Sequence, residues 1–530
     1  MNVKNQEDKM AKKPMNKKLE IGALTANLLQ VAALIFFEAV IFRIASYENY
    51  LILDYLPMKY IIFAEIILLV FTIAPFLIKW GNKRIIVSTI FSAVMAVLLT
   101  AAAIWTLVND GRIKDMISKA ETTFDKVVEN SGLSTDEYGI YVLKTNNAEK
   151  LKDVKDSMFG YSRGYSASDT RTVLNTIEGE LGQVVKKLKA DDPAKLAQIL
   201  LDGQAEAIIL NQSLIDLIET AGDDSNDDKN NGTFAEFSNQ IKCIYTVNIK
   251  NELSKKNDPG NVTKQCFNVY ISGIDTEGDV TVKSRSDVNI IMSINPITHN
   301  IILISTPRDY YVPLSISNGV RDKLTHAGNY GIDVSMNTLE MLYDIKCDYF
   351  VRLNFTGFVN IIDALGGIDV DSDYAFSTHG YSYNEGLNEN LSGIEALWFA
   401  RERHAFAEGD RQRGKDQMKV IEAVVEKCQS AALLSNYNEI LDDISESFQT
   451  NMTKKSIKKL VKLQLSKAPK WNVITYSVSG QGTSAYTYTV PSKTAYVMIP
   501  DEASVDTAKQ MLEKNKNNRQ IKDPEAESET

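Results

Sequence analysis

The chain has 530 residues, 44% of them apolar, with 68 acidic against 58 basic side chains and a formal net charge of -10 at pH 7. It is too long for one ordinary domain and apolar enough to fill more than one core. The acidic balance excludes a nucleic-acid binder, which carries a broad basic face, and four scattered histidines exclude a histidine-built metal centre.

Three hydrophobic stretches come first, at 21–44, 60–78 and 85–108, each near the ~20 residues that cross a bilayer. No small-residue cleavage site follows the first, which therefore reads as a retained anchor. Lys12, Lys13, Lys17 and Lys18 precede it, and Lys79, Lys83 and Arg84 stand between the second and third. Positive residues stay in the cytoplasm. The expectation is a multi-pass cell-membrane protein with a basic cytoplasmic segment at 1–20, three transmembrane helices within 21–108, and the remainder extracellular.

From 111 to 261 probable helices alternate with short apolar runs, YGIYVLK at 138–144, EAIILN at 206–211 and CIYTVNI at 243–249. That alternation predicts a small α/β domain. The acidic run at 221–233 (AGDDSNDDKNNGT) lacks a glycine in register and a closing glutamate, so it reads as a solvated loop, not a calcium loop. Cys243, Cys266, Cys347 and Cys428 are widely spaced with no CxxC, a pattern that allows a disulfide but suits buried free thiols as well.

FNVYISGI at 267–274, VNIIMSI at 288–294 and NIILIST at 300–306 alternate as strands do. In an antiparallel meander the end of the first, the start of the second and the end of the third meet at one edge of the sheet. Asp275, then Arg285 and Asp287, then Arg308 and Asp309 occupy those places. Helical periods follow at 334–343, 356–365 and 392–399, the last opened by a Ser392/Glu395 capping box. A longer helix is predicted over 410–431, with Met418, Ile421, Val425 and Cys428 toward a core and Arg413 and Gln417 on one face of its first turns. Its amino terminus would favour phosphate through free N–H groups. Strands at 472–478 and 495–500 are expected to complete the sheet, and a disordered tail is expected over 514–530.

Four arginines fall within 401–413 (RERHAFAEGDRQR) of an acidic chain, which points to an anionic ligand, since the planar guanidinium fork suits phosphate oxygens. Taken in order, Gly-Ile-Asp at 273–275, Arg-Ser-Asp at 285–287, Pro-Arg-Asp at 307–309, Lys-Leu at 323–324, Arg-Glu-Arg at 401–403 and Gly-Asp at 409–410 with Arg413 and Gln417 resemble the LytR-CpsA-Psr family. Each triplet alone is a weak signal; their ordered succession behind a membrane anchor is a strong one. The resemblance covers about 265–430 closely and reaches the late strands.

It implies a mixed, largely antiparallel central sheet flanked by helices as a catalytic domain at 265–513, preceded by a smaller α/β accessory domain at 111–261. It implies transfer of a glycopolymer, of teichoic acid or capsular polysaccharide type, from an undecaprenyl-pyrophosphate carrier to peptidoglycan. In that scheme Asp275 and Asp287 hold Mg²⁺ or Mn²⁺. Arg285, Arg308, Arg401 and Arg403 are catalytic, and Lys323, Arg413 and Gln417 bind substrate. Asp309 and Asp410 sit in the binding site as orienters of neighbouring arginines. Gln412 stands where the family commonly has glycine, and Asp416 where a basic residue is common, so a shifted register would bring in Arg411. The four-residue spacing to Gln417 favours Arg413. The rival readings are a membrane-bound regulatory protein that captures polyprenyl phosphates without turning them over, and a polyprenyl pyrophosphatase, in which water replaces the sugar.

Overall fold

A computed structural model gives the fold, and the residues it describes are 17–45, 58–77, 82–108, 132–162, 165–221, 234–253, 260–276, 279–429 and 447–521. The acidic run lies almost wholly outside them, at 222–233. The hydrophobic stretches form helices α1 (Lys17–Ala45), α2 (Met58–Leu77) and α3 (Asn82–Val108). Two of them are long and apolar enough to cross a membrane, over Lys17–Arg43 and Arg84–Val108. The apolar part of α2, Ile62–Leu77, is shorter, so among the described residues two of the three expected spans reach that length. A buried hydrogen bond from Ser92 Oγ to Asn27 Oδ1, 2.7 Å, ties α3 to α1, the kind of polar contact that joins apolar helices.

Strands β1 (Leu133–Leu143), β2 (Met158–Ser162), β3 (Lys186–Ala190), β4 (Ala207–Asn211) and β5 (Ile241–Glu252) make a five-stranded sheet in the order β3-β2-β4-β1-β5. Helices α4 (Ala167–Leu181) and α5 (Pro193–Leu201) and the short α6 (Ile215–Glu219) pack with it. Ser166 caps α4 and Asp192 caps α5 through their side chains, as these residue types do. The sequence reading found β1, β4 and β5 but not β2 or β3. The lysine-rich β3 (KKLKA) is an edge strand with no apolar alternation to betray it.

The second sheet has six strands, β6 (Phe267–Ile274), β7 (Ser286–Asn295), β8 (Asn300–Ser305), β11 (Tyr349–Leu353), β16 (Phe448–Thr450) and β17 (Asn472–Ser477), in the order β16-β11-β6-β7-β8-β17. Outside it lie three strand pairs, β9 (Tyr311–Pro313) with β10 (Arg321–Lys323), β12 (Ile368–Ser372) with β15 (Gly386–Leu391), and β13 (Phe376–Thr378) with β14 (Tyr381–Tyr383). The predicted meander is the centre of the six-stranded sheet: β6 pairs antiparallel with β7, and β7 with β8. Alternation along β8 sends Ile302 and Ile304 to one face, against helix α7 (Ile332–Tyr343) and the last helix, α11 (Glu502–Lys516), and Ile301 and Leu303 to the other, against Met418. Each such buried side chain contributes about 1.5–3 kcal/mol. Helix α8 (Phe355–Ala364) follows β11, and α9 (Gly393–Arg401) starts on the predicted Ser392/Glu395 box. The long helix α10 (Asp410–Gln429) buries Met418 as expected.

Three expectations need correction. The strand at 495–500 does not join the main sheet: β19 (Thr494–Pro500) pairs with β18 (Gly480–Tyr486) in a separate hairpin. The tail expected to be disordered from Lys514 is helical through Lys516, because Asn515 is buried with its amide donating to the Ser293 carbonyl at 3.0 Å. All four cysteines are free, so the disulfide that the spacing allowed is not formed; of the buried thiols it also suited, Cys347 is buried, Cys266 and Cys428 are partly buried and Cys243 is exposed.

Candidate active site

The charged residues of the meander converge because β6, β7 and β8 turn them out at the same end of the sheet. The β6–β7 register shifts between Gly273 and Ile274: Gly273 faces Val288 and Ile274 faces Ser286, so Asp287 has no register partner on β6. A β-bulge of this kind re-aims one side chain and is common beside active sites. Asp287 is thereby directed to the cavity described below. Glycine is required at position 273, where an added Cβ would lie 2.6 Å from Val288 Cγ2.

A cavity of about 660 Å³ opens there. Its wall includes Asp275, Arg285, Asp287, Arg308, Asp309, Lys323, Arg401, Arg403, Arg413 and Gln417, so ten of the eleven residues singled out from sequence come together. Asp410, the eleventh, stands behind the wall and ion-pairs with Arg413. Arg411 is not part of the wall. It is half-exposed and lies 4.0 Å from Glu408, so the geometry favours the Arg413 register.

Within the wall the charges are ordered in pairs. Arg308 Nη1 lies 3.1 Å from Asp287 Oδ2, and the Thr325 hydroxyl donates to Asp287 Oδ1 at 2.9 Å. Lys323 Nζ lies 3.1 Å from Asp309 Oδ1. Burial works to raise the Asp287 carboxyl, but Arg308, Arg285, Arg413 and the Thr325 hydrogen bond outweigh it and hold the group well below the usual carboxylate range. Asp309 is lowered in the same way, with Lys323 and Arg308 overcoming desolvation. Asp275 goes the other way: burial, then the charge of Asp287, raises it against the pull of Arg285 and Arg401. Arg308 Nε is buried; it makes no hydrogen bond among the described residues, and its ion-pair partner is Asp309 Oδ2 at 3.7 Å.

Arg401, at the end of α9, is held by rings. Its Cζ lies 4.1 Å from the Phe355 ring centroid and 5.0 Å from that of Trp398, and Trp398 in turn stacks on His379 at 3.6 Å and 9°. Gln417 donates to the Ala400 carbonyl at 3.3 Å and so joins α10 to α9. The two departures noted near the start of α10 have a shared structural purpose. Gln412 donates to both Asp416 and Asp373 at 2.9 Å, and Lys419 ion-pairs with Asp373, which anchors α10 to the turn after β12 (Ile368–Ser372).

Sequence reasoning missed Thr325, the stacked rings and Tyr496 of β19. It also missed Asp216, Glu219 and Thr220, which reach the cavity from the first sheet. Thr325 follows the Lys323-Leu324 pair directly and is the one that position could have flagged. The others depend on packing between elements distant in sequence.

The LytR_cpsA_psr family profile matches residues 232–513. The polyisoprenyl-teichoic acid–peptidoglycan teichoic acid transferase TagU of Enterococcus faecalis is 36% identical over 211 residues, 39% of this chain and 69% of that protein. TagU of Halalkalibacterium halodurans is 32% identical over 237 residues, 44% of this chain and 75% of that protein. Among solved structures, B. subtilis TagV superposes with a TM-score of 0.40 at 26% identity, covering 49% of this chain and 99% of that one. With the motifs gathered on one cavity and the match spanning the whole second sheet, the chain belongs to the LytR-CpsA-Psr family.

Proposed function

We propose that the protein is an extracytoplasmic phosphotransferase that moves a glycopolymer of teichoic acid or capsular polysaccharide type from a polyprenyl-pyrophosphate carrier to peptidoglycan. The observation that carries this reading is the single cavity in which five arginines, Arg285, Arg308, Arg401, Arg403 and Arg413, share a wall with the apolar side chains of Ile271, Val288, Leu353, Phe358, Leu397 and Ile421. Arginine forks suit the pyrophosphate, and the apolar lining suits a prenyl chain. The similarity to TagU, a polyisoprenyl-teichoic acid–peptidoglycan teichoic acid transferase, supports the donor and acceptor classes.

In the proposed reaction a peptidoglycan sugar hydroxyl attacks the phosphorus nearer the glycan. An O–P bond forms, the anhydride P–O bond breaks, the prenyl phosphate leaves with the electron pair, and the hydroxyl proton is released. Phosphoryl transfer needs chiefly positioning and charge neutralisation, which this arginine wall supplies. Arg308, aligned by Asp287 and flanked by Asp309, stands on the cavity wall, where its guanidinium would meet phosphate oxygens. Arg401, packed against Phe355 and Trp398, lies on the same wall.

No three His, Cys, Asp or Glu side chains form a ligand cluster among the described residues. The residues nevertheless fit Mg²⁺ or Mn²⁺ bound by two carboxylates with phosphate and water oxygens. Asp275 is raised by burial and by the opposing charge of Asp287, a conflict that a hard cation held by both would remove. Such an ion would neutralise charge on the leaving phosphate.

The membrane part is proposed to cross three times, with α2 as the shortest span, the amino terminus in the cytoplasm and both sheets outside. The first sheet with its helices is proposed as the accessory domain of this family member. The test is phosphate release from a polyprenyl pyrophosphate by the full chain, with and without Mg²⁺ or Mn²⁺, beside Asp275→Ala. Metal-dependent cleavage lost in the variant supports the enzyme. Tight lipid binding with no turnover by the unaltered protein would favour capture without catalysis.

A further inference from the structure

Helix α6, packed on the first sheet, brings Asp216 and Glu219 to the candidate active site. Asp216 Oδ2 on α6 lies 3.1 Å from Arg285 Nη2. The segment that carries Arg285 is itself fastened to that sheet. Thr135 N donates to the Thr281 carbonyl and Lys283 N to the Thr135 carbonyl, both at 2.9 Å. Lys283 Nζ also lies 2.6 Å from the fully buried Asp136. Arg285 is thus delivered by a segment bonded to the first sheet, and it faces a carboxylate of α6, which packs on that sheet.

The ion pairs around the cavity are unequal. Arg308 with Asp287 and Arg413 with Asp410 are shielded on both sides, all four side chains being less than one-fifth exposed. In the Asp216–Arg285 pair the guanidinium is 18% exposed but the carboxylate is 57% exposed. A pair so open to water contributes little and is readily exchanged. Neighbouring Glu219, whose Oε1 already accepts from Ser238 N and Oγ, is committed elsewhere. A pyrophosphate has two phosphoryl groups, so one can meet Arg285 in place of Asp216 while the other is held by the remaining arginines; a single phosphate, of similar charge at neutral pH, cannot reach both places at once and gains less from the exchange.

We propose that Asp216 is a specificity-determining residue: it occupies Arg285 whenever no pyrophosphate is bound and so selects against lipids that carry a single phosphate. In the reaction proposed above, one such lipid is the product, so Asp216 promotes its release. The inference rests on the reading of the cavity as a polyprenyl-pyrophosphate site. It is an exchange of ion pairs and involves no covalent step. Asp216 acts through Arg285, and its signature is a change in selectivity, which a merely structural carboxylate would not produce.

The experiment measures binding of farnesyl pyrophosphate and farnesyl monophosphate to the full chain in detergent micelles, for the unaltered protein and for Asp216→Asn, Asp216→Glu and Arg285→Ala. In Asp216→Asn the monophosphate should bind about fivefold tighter while the pyrophosphate changes less than about twofold, the scale of an exposed ion pair. Asp216→Glu should restore the original ratio. Adding Arg285→Ala to Asp216→Asn should abolish the gain. An unchanged ratio in Asp216→Asn, with pyrophosphate still bound tightly, overturns the inference and spares the site. Failure of the unaltered protein to bind pyrophosphate overturns the site reading, and this inference falls with it.

Discussion

Asp287, the bulged residue of β7, accepts from Arg308 at 3.1 Å through one oxygen and from Thr325 at 2.9 Å through the other. Both charged side chains are less than one-fifth exposed, so neither can lose its partner without leaving a largely desolvated charge behind. Arg308→Ala is expected to lower stability by up to about 3 kcal/mol, and Arg308→Ala with Asp287→Ala together by less than the sum of the two single changes. Chemical denaturation of the four proteins of this cycle measures the coupling. Additive losses would show that the pair acts as two independent sites.

The ring stack makes Arg401 more than a charge. Arg401→Lys keeps the charge but not the flat face that lies over Phe355 and Trp398. Turnover should fall about tenfold or more while the melting temperature stays nearly unchanged. Trp398→Phe, which preserves a ring, should lose less than Trp398→Ala. Equal activity of Arg401→Lys and the unaltered protein would remove the stack from the account.

Asp416 is buried and its carboxyl is pushed up to about 7, chiefly by desolvation and also by Asp373, against the lowering pull of Gln412, Lys419 and Lys415. A carboxyl whose folded value lies above its unfolded one binds a proton more tightly when folded. Its contribution to stability is therefore full below about pH 4 and is lost as pH rises through about 7. Asp416→Asn should raise the melting temperature relative to the unaltered protein at pH 8 by a few degrees, and change it little at pH 5. The difference between the two melting curves across pH 4–8 isolates this group from the other titrations.

Gly328 sits where the Arg285 segment passes. A Cβ there would lie 2.5 Å from the Ser284 carbonyl oxygen and 2.6 Å from Ser286 N. Both are backbone atoms, so Gly328→Ala must displace the segment itself. Stability should drop by about 1–3 kcal/mol, and pyrophosphate affinity should fall with it because Arg285 moves. A variant with normal pyrophosphate affinity would show that the segment can yield without moving Arg285.

The parts that could be read from sequence were those with local causes. Alternating apolar residues gave β6, β7 and β8, the Ser392/Glu395 box gave the start of α9, and strand ends implied that Asp275, Arg285, Asp287, Arg308 and Asp309 would meet. The bulge at Asp287 was invisible because an extra residue in one strand leaves the apolar alternation of its neighbours almost intact. Asp216 was invisible because nothing near it in sequence announces a guanidinium; only the docking of two sheets brings one there. The hairpin of β18 and β19 was misread because its apolar alternation is the same whether its partner is the main sheet or its own neighbour.

The contact between Thr135 and the 281–283 segment bears on modularity. A parallel bridge joins Thr135 to Val282, flanked by the two backbone hydrogen bonds of Thr135 and by the Asp136–Lys283 pair. The half of the chain that holds every recognisable motif therefore borrows part of its scaffold from the half that holds none. A chimera that grafts this motif half onto a different amino-terminal unit would inherit the arginines but not the edge that seats one of them.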